Sequence, residues 1–280
     1  MSRILSAPLL VLMVALFSGG LSLSSVQAQQ PALTLGDESG GPLEIEAENG
    51  LEWQRDAQAY VARGNAVASR DGLTVAADVL IAYYRDTAAG GTEIYRLDAK
   101  GKVRLISADA TVTGDQAVYD VAQQVAVITG KDLALTTATD RITAKKSLEF
   151  WQARQLAVAR GDATASREEN ELRSDVLMAR FAEDAAGEMV MRVVDATGGV
   201  VIETPTELVR GSQGRFDVKA NVATLTGDVR LTRGSTQLNG DRAEVNMDTG
   251  VSRLFTTKDG QRRVRGVITP DDVSGEEGEG

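Results

Sequence analysis

A shift of 97 residues lays this chain back on itself, and no other feature narrows its possible folds as much. Tyr60-Val61-Ala62-Arg63-Gly64-Asn65-Ala66 returns as Ala157-Val158-Ala159-Arg160-Gly161-Asp162-Ala163, and Gly101, Gly114, Asp120, Val121 and Gly130 return as Gly198, Gly211, Asp217, Val218 and Gly227. Aromatic bulk is kept where identity is not: Trp53 corresponds to Phe150, Tyr84 to Phe181 and Tyr119 to Phe216. Such copying favours an elongated architecture in which each unit buries its apolar face against its neighbours. The copies run over about 46–142 and 143–239.

Period-two alternation sets the element type. Leu43, Ile45 and Ala47 alternate with Glu44 and Glu46; Val103 and Leu105 flank Arg104; Val229 and Leu231 flank Arg230; Ala243, Val245 and Met247 alternate with polar neighbours. This is the pattern of half-buried strands, and helical periodicity is nearly absent between Leu43 and Phe255. Glycines mark corners at Gly64, Gly101, Gly130, Gly161, Gly198 and Gly227, so each copy contains about three smaller units. A small residue followed by aspartate introduces a further strand at Asp78, Asp115, Asp175 and Asp241, with apolar residues two and four positions on. An acid recurring in step with a repeat is expected to satisfy backbone donors at a corner rather than to catalyse. The fold class expected is all-β, an elongated roll of stacked strands, over residues 43–255.

Residues 1–28 have the form of a cleavable export signal: Arg3, an apolar stretch from Pro8 to Phe17, and a Val26-Gln27-Ala28 cleavage site. A flexible lead-in is expected over 29–42 and an acidic disordered tail over 256–280, where Pro270–Gly280 carries five acidic side chains. The chain has no cysteine, so an exported fold must hold without disulfides. Its net charge of −10 argues against nucleic acid, whose binding rests on Lys and Arg neutralising phosphates. The absence of histidine removes Ser-His-Asp and Cys-His catalysis and the usual zinc sets. Neither a metal nor a cofactor is expected, and carboxylate-only glycoside chemistry is the one enzymatic class left open.

The segments Gly211–Val218, Val222–Leu231 and Leu238–Val245, preceded by Leu43–Ala47, Tyr60–Val67 and Leu73–Asp78 as the start of the same domain, are together similar to the organic-solvent-tolerance, or OstA-like, family of lipopolysaccharide transport proteins. The resemblance implies an open β-jellyroll of the LptA-like type in the periplasm, with lipid A acyl chains sheltered inside. It implies no enzymatic activity. It also implies LptC-like inner-membrane and LptD-like outer-membrane partners joined by β-strand addition, with end-to-end self-association possible. The apolar face supplies the candidate lipid-binding residues: Leu43, Ile45, Leu73, Val75, Leu80, Tyr119, Val121, Phe216, Val218, Leu225, Val229, Leu231, Leu238 and Val245. Candidate partner-binding residues at the ends are Leu43, Glu44, Ile45, Glu46 and Ala47, and Ala243, Val245 and Met247. Ala66, Ala68 and Ala82 are small enough to leave room for a groove. Arg63, Arg160, Arg210 and Arg230 are candidates for lipid phosphates or for strand-edge gatekeepers.

Other readings stay open at this stage: a stand-alone LptC-like or LptD N-terminal-like component, a carbohydrate-active or adhesive β-solenoid, and an envelope spacer. The solenoid reading asks for an aromatic platform, against an aromatic content of 4%.

Overall fold

The computed structural model describes residues 44–70, 72–88, 90–185, 189–246, 248–249, 251–256 and 264–267. The export signal, the lead-in, Leu43, Met247 and the chain beyond Val267 lie outside them. The first half contains β1 (Glu44–Glu46), β2 (Leu51–Gln54), β3 (Ala59–Arg70), β4 (Leu73–Asp86), β5 (Thr92–Ile106), β6 (Ala110–Asp120), β7 (Val125–Thr129), β8 (Leu133–Thr137), β9 (Asp140–Ala144) and β10 (Ser147–Trp151). A single 3₁₀ turn (Gln152–Arg154) precedes β11 (Leu156–Arg167), β12 (Asn170–Glu183), β13 (Met189–Glu203), β14 (Leu208–Asp217), β15 (Val222–Arg233), β16 (Thr236–Asn246), β17 (Val251–Phe255) and β18 (Arg265–Val267). Among the described residues all pairings are antiparallel, and the all-β fold expected from alternation, with the β-jellyroll that the resemblance implies, is the fold observed.

Each long strand crosses between two sheets at a mid-strand register shift, such as Arg63/Ala66 in β3, Lys100/Val103 in β5 and Thr197/Val200 in β13. Shorter strands make the same crossing as separate pieces, β7 followed by β8 and β9 followed by β10. One sheet therefore runs from β2 through β3, β7, β10 and β11 to β17, and the other from β1 through β3, β8, β9 and β11 to β18. The strands hold the 97-residue spacing: β3 and β11 begin at Ala59 and Leu156, β4 and β12 at Leu73 and Asn170, β5 and β13 at Thr92 and Met189.

The corners explain the recurring aspartates. Gly101 and Gly198 have φ of +80° and +84°, a left-handed backbone that only glycine adopts freely. A β-carbon at either would collide with the carboxylate of Asp78 or Asp175 on the preceding strand. At the corner between them the Lys131 N–H donates to Asp115 Oδ2 at 2.9 Å. These acids shape the bend, as their periodic spacing implies.

Between the sheets, apolar ladders run strand to strand without a break. In the first sheet Ala62, Leu80, Ala99, Ala117, Ile128, Leu148, Ala159, Leu177, Ala196, Gly214, Leu225, Ala243 and Leu254 are successive cross-strand partners. Leu80 stands between Ala62 and Ala99, and Leu177 between Ala159 and Ala196, so large and small side chains interlock along the row. The facing ladder contains Ile45, Ala68, Val75, Leu105, Val112, Leu135, Ile142, Ala165, Leu172, Ile202, Val209, Leu231 and Leu238.

Two expectations change. Arg265–Val267, placed by the sequence in a disordered tail, forms β18 and pairs with Gln237–Asn239. Ala243 and Val245, expected on an open edge, lie in β16, which pairs with β15 on one side and with β17 and β18 on the other. Their backbone is already used, so among the described residues the open edge belongs to β17 and β18.

Candidate functional site

The two ladders face each other across a narrow apolar space that opens into two clefts. The first, of about 90 Å³, sits between the halves of β3–β5. Ile45, Ala68, Val75 and Leu105 form one wall, and Leu51, Leu80, Leu97, Tyr119 and a row of alanines form the other. The alanines are Ala62, Ala82, Ala99, Ala117 and Ala126, and their missing bulk is what leaves the space. The second cleft, about 50 Å³, adjoins it at Leu105 and is walled by Val112, Ile128, Leu135, Ile142, Phe150 and Leu177, among others. Burial pushes the Tyr119 phenol above its ordinary pKa of 10.0, with Asp120 adding to the shift, so it stays a neutral wall residue.

Of the residues expected to line this space, Ile45, Val75, Leu80 and Tyr119 meet in the first cleft. Leu73, Leu225 and Val229 are buried, and Phe216 packs half-buried against the same core. Leu231, Leu238 and Val245 continue the interior rows in half-buried positions. Val121 and Val218 sit at strand ends, where their N–H groups donate to the carbonyls of Tyr95 and Arg192. Ala68 and Ala82 stand in the cleft wall; Ala66 is buried instead beside Ala77. Ala62, Leu97, Ala99, Leu105, Ala117 and Ala126 also line the first cleft and were not among the expected lining residues, although alternation put Leu105 and Ala117 on the apolar face. Their signal was the alternation of alanine with leucine on adjacent strands, which needs the register before it can be read.

Two of the four candidate phosphate-contacting arginines sit in ion pairs. Arg63 pairs with Glu52 at 3.1 Å and Arg160 with Glu149 at 2.8 Å, a repeated contact across the outer surface. Arg210 and Arg230 are exposed cross-strand neighbours. Among the described residues no group of three or more His, Cys, Asp or Glu could hold a metal ion, and no helix is long and apolar enough to cross a membrane.

The ends differ from the middle. Among the described residues β1 and β2 pair only with β3, and β17 and β18 only with β16, so within them each end of the roll offers unpaired backbone groups. Most of the large exposed apolar side chains stand there: Leu51, Trp53 and Tyr60 at one end, Val251, Phe255, Val264 and Val267 at the other. Trp53 is 56% exposed, its indole N–H donating to Tyr84 Oη at 2.8 Å and its ring stacked on Tyr60.

No curated protein matches this chain. A crystal structure of LptH, the LptA-homologous periplasmic component of the lipopolysaccharide transport device of Pseudomonas aeruginosa, aligns with 18% identity and a TM-score of 0.40, covering 47% of this chain and 95% of that one. The sequence profile of a family described as LptA/(LptD N-terminal domain) LPS transport protein matches residues 44–146, 141–250 and 208–276, and its first two matches begin 97 residues apart. Those matches cover most of the chain, which belongs to the LptA/LptD N-terminal family of lipopolysaccharide transport proteins.

Proposed function

We propose that this chain is a periplasmic bridge protein that shelters the acyl chains of lipid A between its sheets and passes lipopolysaccharide from the inner to the outer membrane. The observation that carries the reading is the pair of apolar ladders running unbroken from one open end to the other. An acyl chain of a dozen carbons left in water costs on the order of 10 kcal/mol at ~0.8 kcal/mol per methylene, so its route must be dry throughout. Passage needs no bond making, and the chain's lack of histidine is compatible with that.

The first cleft, at about 90 Å³, is smaller than the ~150 Å³ cavity that accommodates one benzene ring. Lipid must therefore spread the sheets, the alanine-lined segment marking where they part most easily. The open edges at β1–β2 and β17–β18 are the places where LptC-like and LptD-like partners, or a second copy, would add strands. The family description also includes the LptD N-terminal domain, and a component of that kind would share this groove.

Photo-crosslinking in cells from side chains at Ile45 and Phe216, probed for lipopolysaccharide, tests the reading. Adducts at both positions are expected. Folded, exported protein without adducts at either would remove the lipid route and leave an envelope spacer.

A further inference from the structure

The edge strands at the two open ends differ in charge. β1 and β2 present Glu44, Glu46 and Glu52 and no base, whereas β17 and β18 present Arg253 and Arg265 and no acid. The basic end is also apolar, with Val251, Phe255 and Val267 exposed. A ligand that suits it is an extended, acidic segment able to pair with a free strand edge.

The chain contains one. Pro270–Gly280 carries Asp271, Asp272, Glu276, Glu277 and Glu279 and no basic residue, and it follows β18 after two residues. We propose that this segment docks on the β17–β18 edge, imitating the acidic strands of an incoming partner or second copy and competing with them. Reach permits it. From Val267 to Gly278 is 11 residues, roughly 36 Å when extended. Ser252 pairs with Val245 and Val267 with Gln237, so the two lie 8 residues apart along β16, about 27 Å. A tethered segment acts at an effective concentration in the millimolar range, enough to hold off a partner present at lower concentration. The inference extends the reading of this edge as a docking end, but its test needs neither lipid nor partner.

The chain lacks cysteine, so a single pair can be introduced without background. The Ser252→Cys/Gly278→Cys variant of the full chain is oxidised at low ionic strength, alongside the same variant with the five tail acids changed to Asn or Gln. The acidic tail is expected to close an intramolecular disulfide at least ~5-fold faster, and the difference should vanish in 1 M salt, where charges are screened beyond about 3 Å. Equal rates for the two tails would overturn the proposal. So would disulfides that are mainly intermolecular and rise with protein concentration, because the occupant would then be a second copy. Without introduced cysteines, neutralising the tail should increase self-association by light scattering, and an unchanged distribution would count against competition.

Discussion

Gly198 and Gly199 share a left-handed backbone, at φ +84° and +73°, yet stand in different surroundings. Beside Gly198 lies the Asp175 carboxylate; around Gly199 there is open space. Gly199→Ala should therefore cost only conformational strain, about 1–2 kcal/mol. Gly198→Ala should cost at least ~1 kcal/mol more, because Asp175 must give up its corner. Urea unfolding with an unchanged m-value measures both, and equal losses would mean that the aspartate does not shape the bend. In the groove, Ile45→Asp and Phe216→Asp alter half-buried residues, so the fold should survive. A charge facing acyl chains should weaken lipid A binding about tenfold or more, some 1.4 kcal/mol, in a titration of the folded variants. Leu80 and Tyr119 were legible as interior residues from alternation alone. Ala117 was placed on the same apolar face but not in a cleft, and Ala99 was not placed at all, since an alanine marks a cleft only once the leucines beside it are placed.

At the level of the strand, β10 and β11 are joined by a partly buried cluster in which Glu149 accepts from Arg160, Ser147 and the Trp151 indole. Burial raises the pKa of this carboxyl, but the hydrogen bonds outweigh it and hold Glu149 below its ordinary value of 4.5. A carboxylate depressed on folding adds stability that is fully present above the unfolded pKa and is lost as pH falls through the folded one. Glu149→Gln should consequently destabilise most at neutral pH, and its difference from the unaltered chain should shrink below about pH 4.5. A difference that stays constant from pH 7 to pH 3 would assign the loss to packing. Strand identity was readable here from alternation through Leu148 and Phe150. Which strands form the outer edge was not: pairing by β17 and β18 depends on where the chain turns back after Asn246.

Across the whole molecule, the two copies of the repeat meet through β7 on β10 and β9 on β11, with Ile128 opposite Leu148 and Ile142 opposite Ala165. These are interior rungs like any other, so the junction should be as stable as the repeat on either side of it. The elongated roll could be anticipated from the 97-residue shift, because stacked units need only their neighbours. The narrowness of the space inside could not, because it is set by the separation of two sheets that no single strand records. In a stack stabilised by nearest-neighbour contacts, opening starts where a strand has a partner on one side only. Native-state hydrogen exchange should therefore be fastest in β1, β2, β17 and β18 and slowest in β9 through β12, with protection rising smoothly from both ends. A fast-exchanging band at β7–β10 flanked by two protected blocks would instead mean that the halves fold as separate bodies. A continuous lipid route would then have to cross a gap at the middle of the protein.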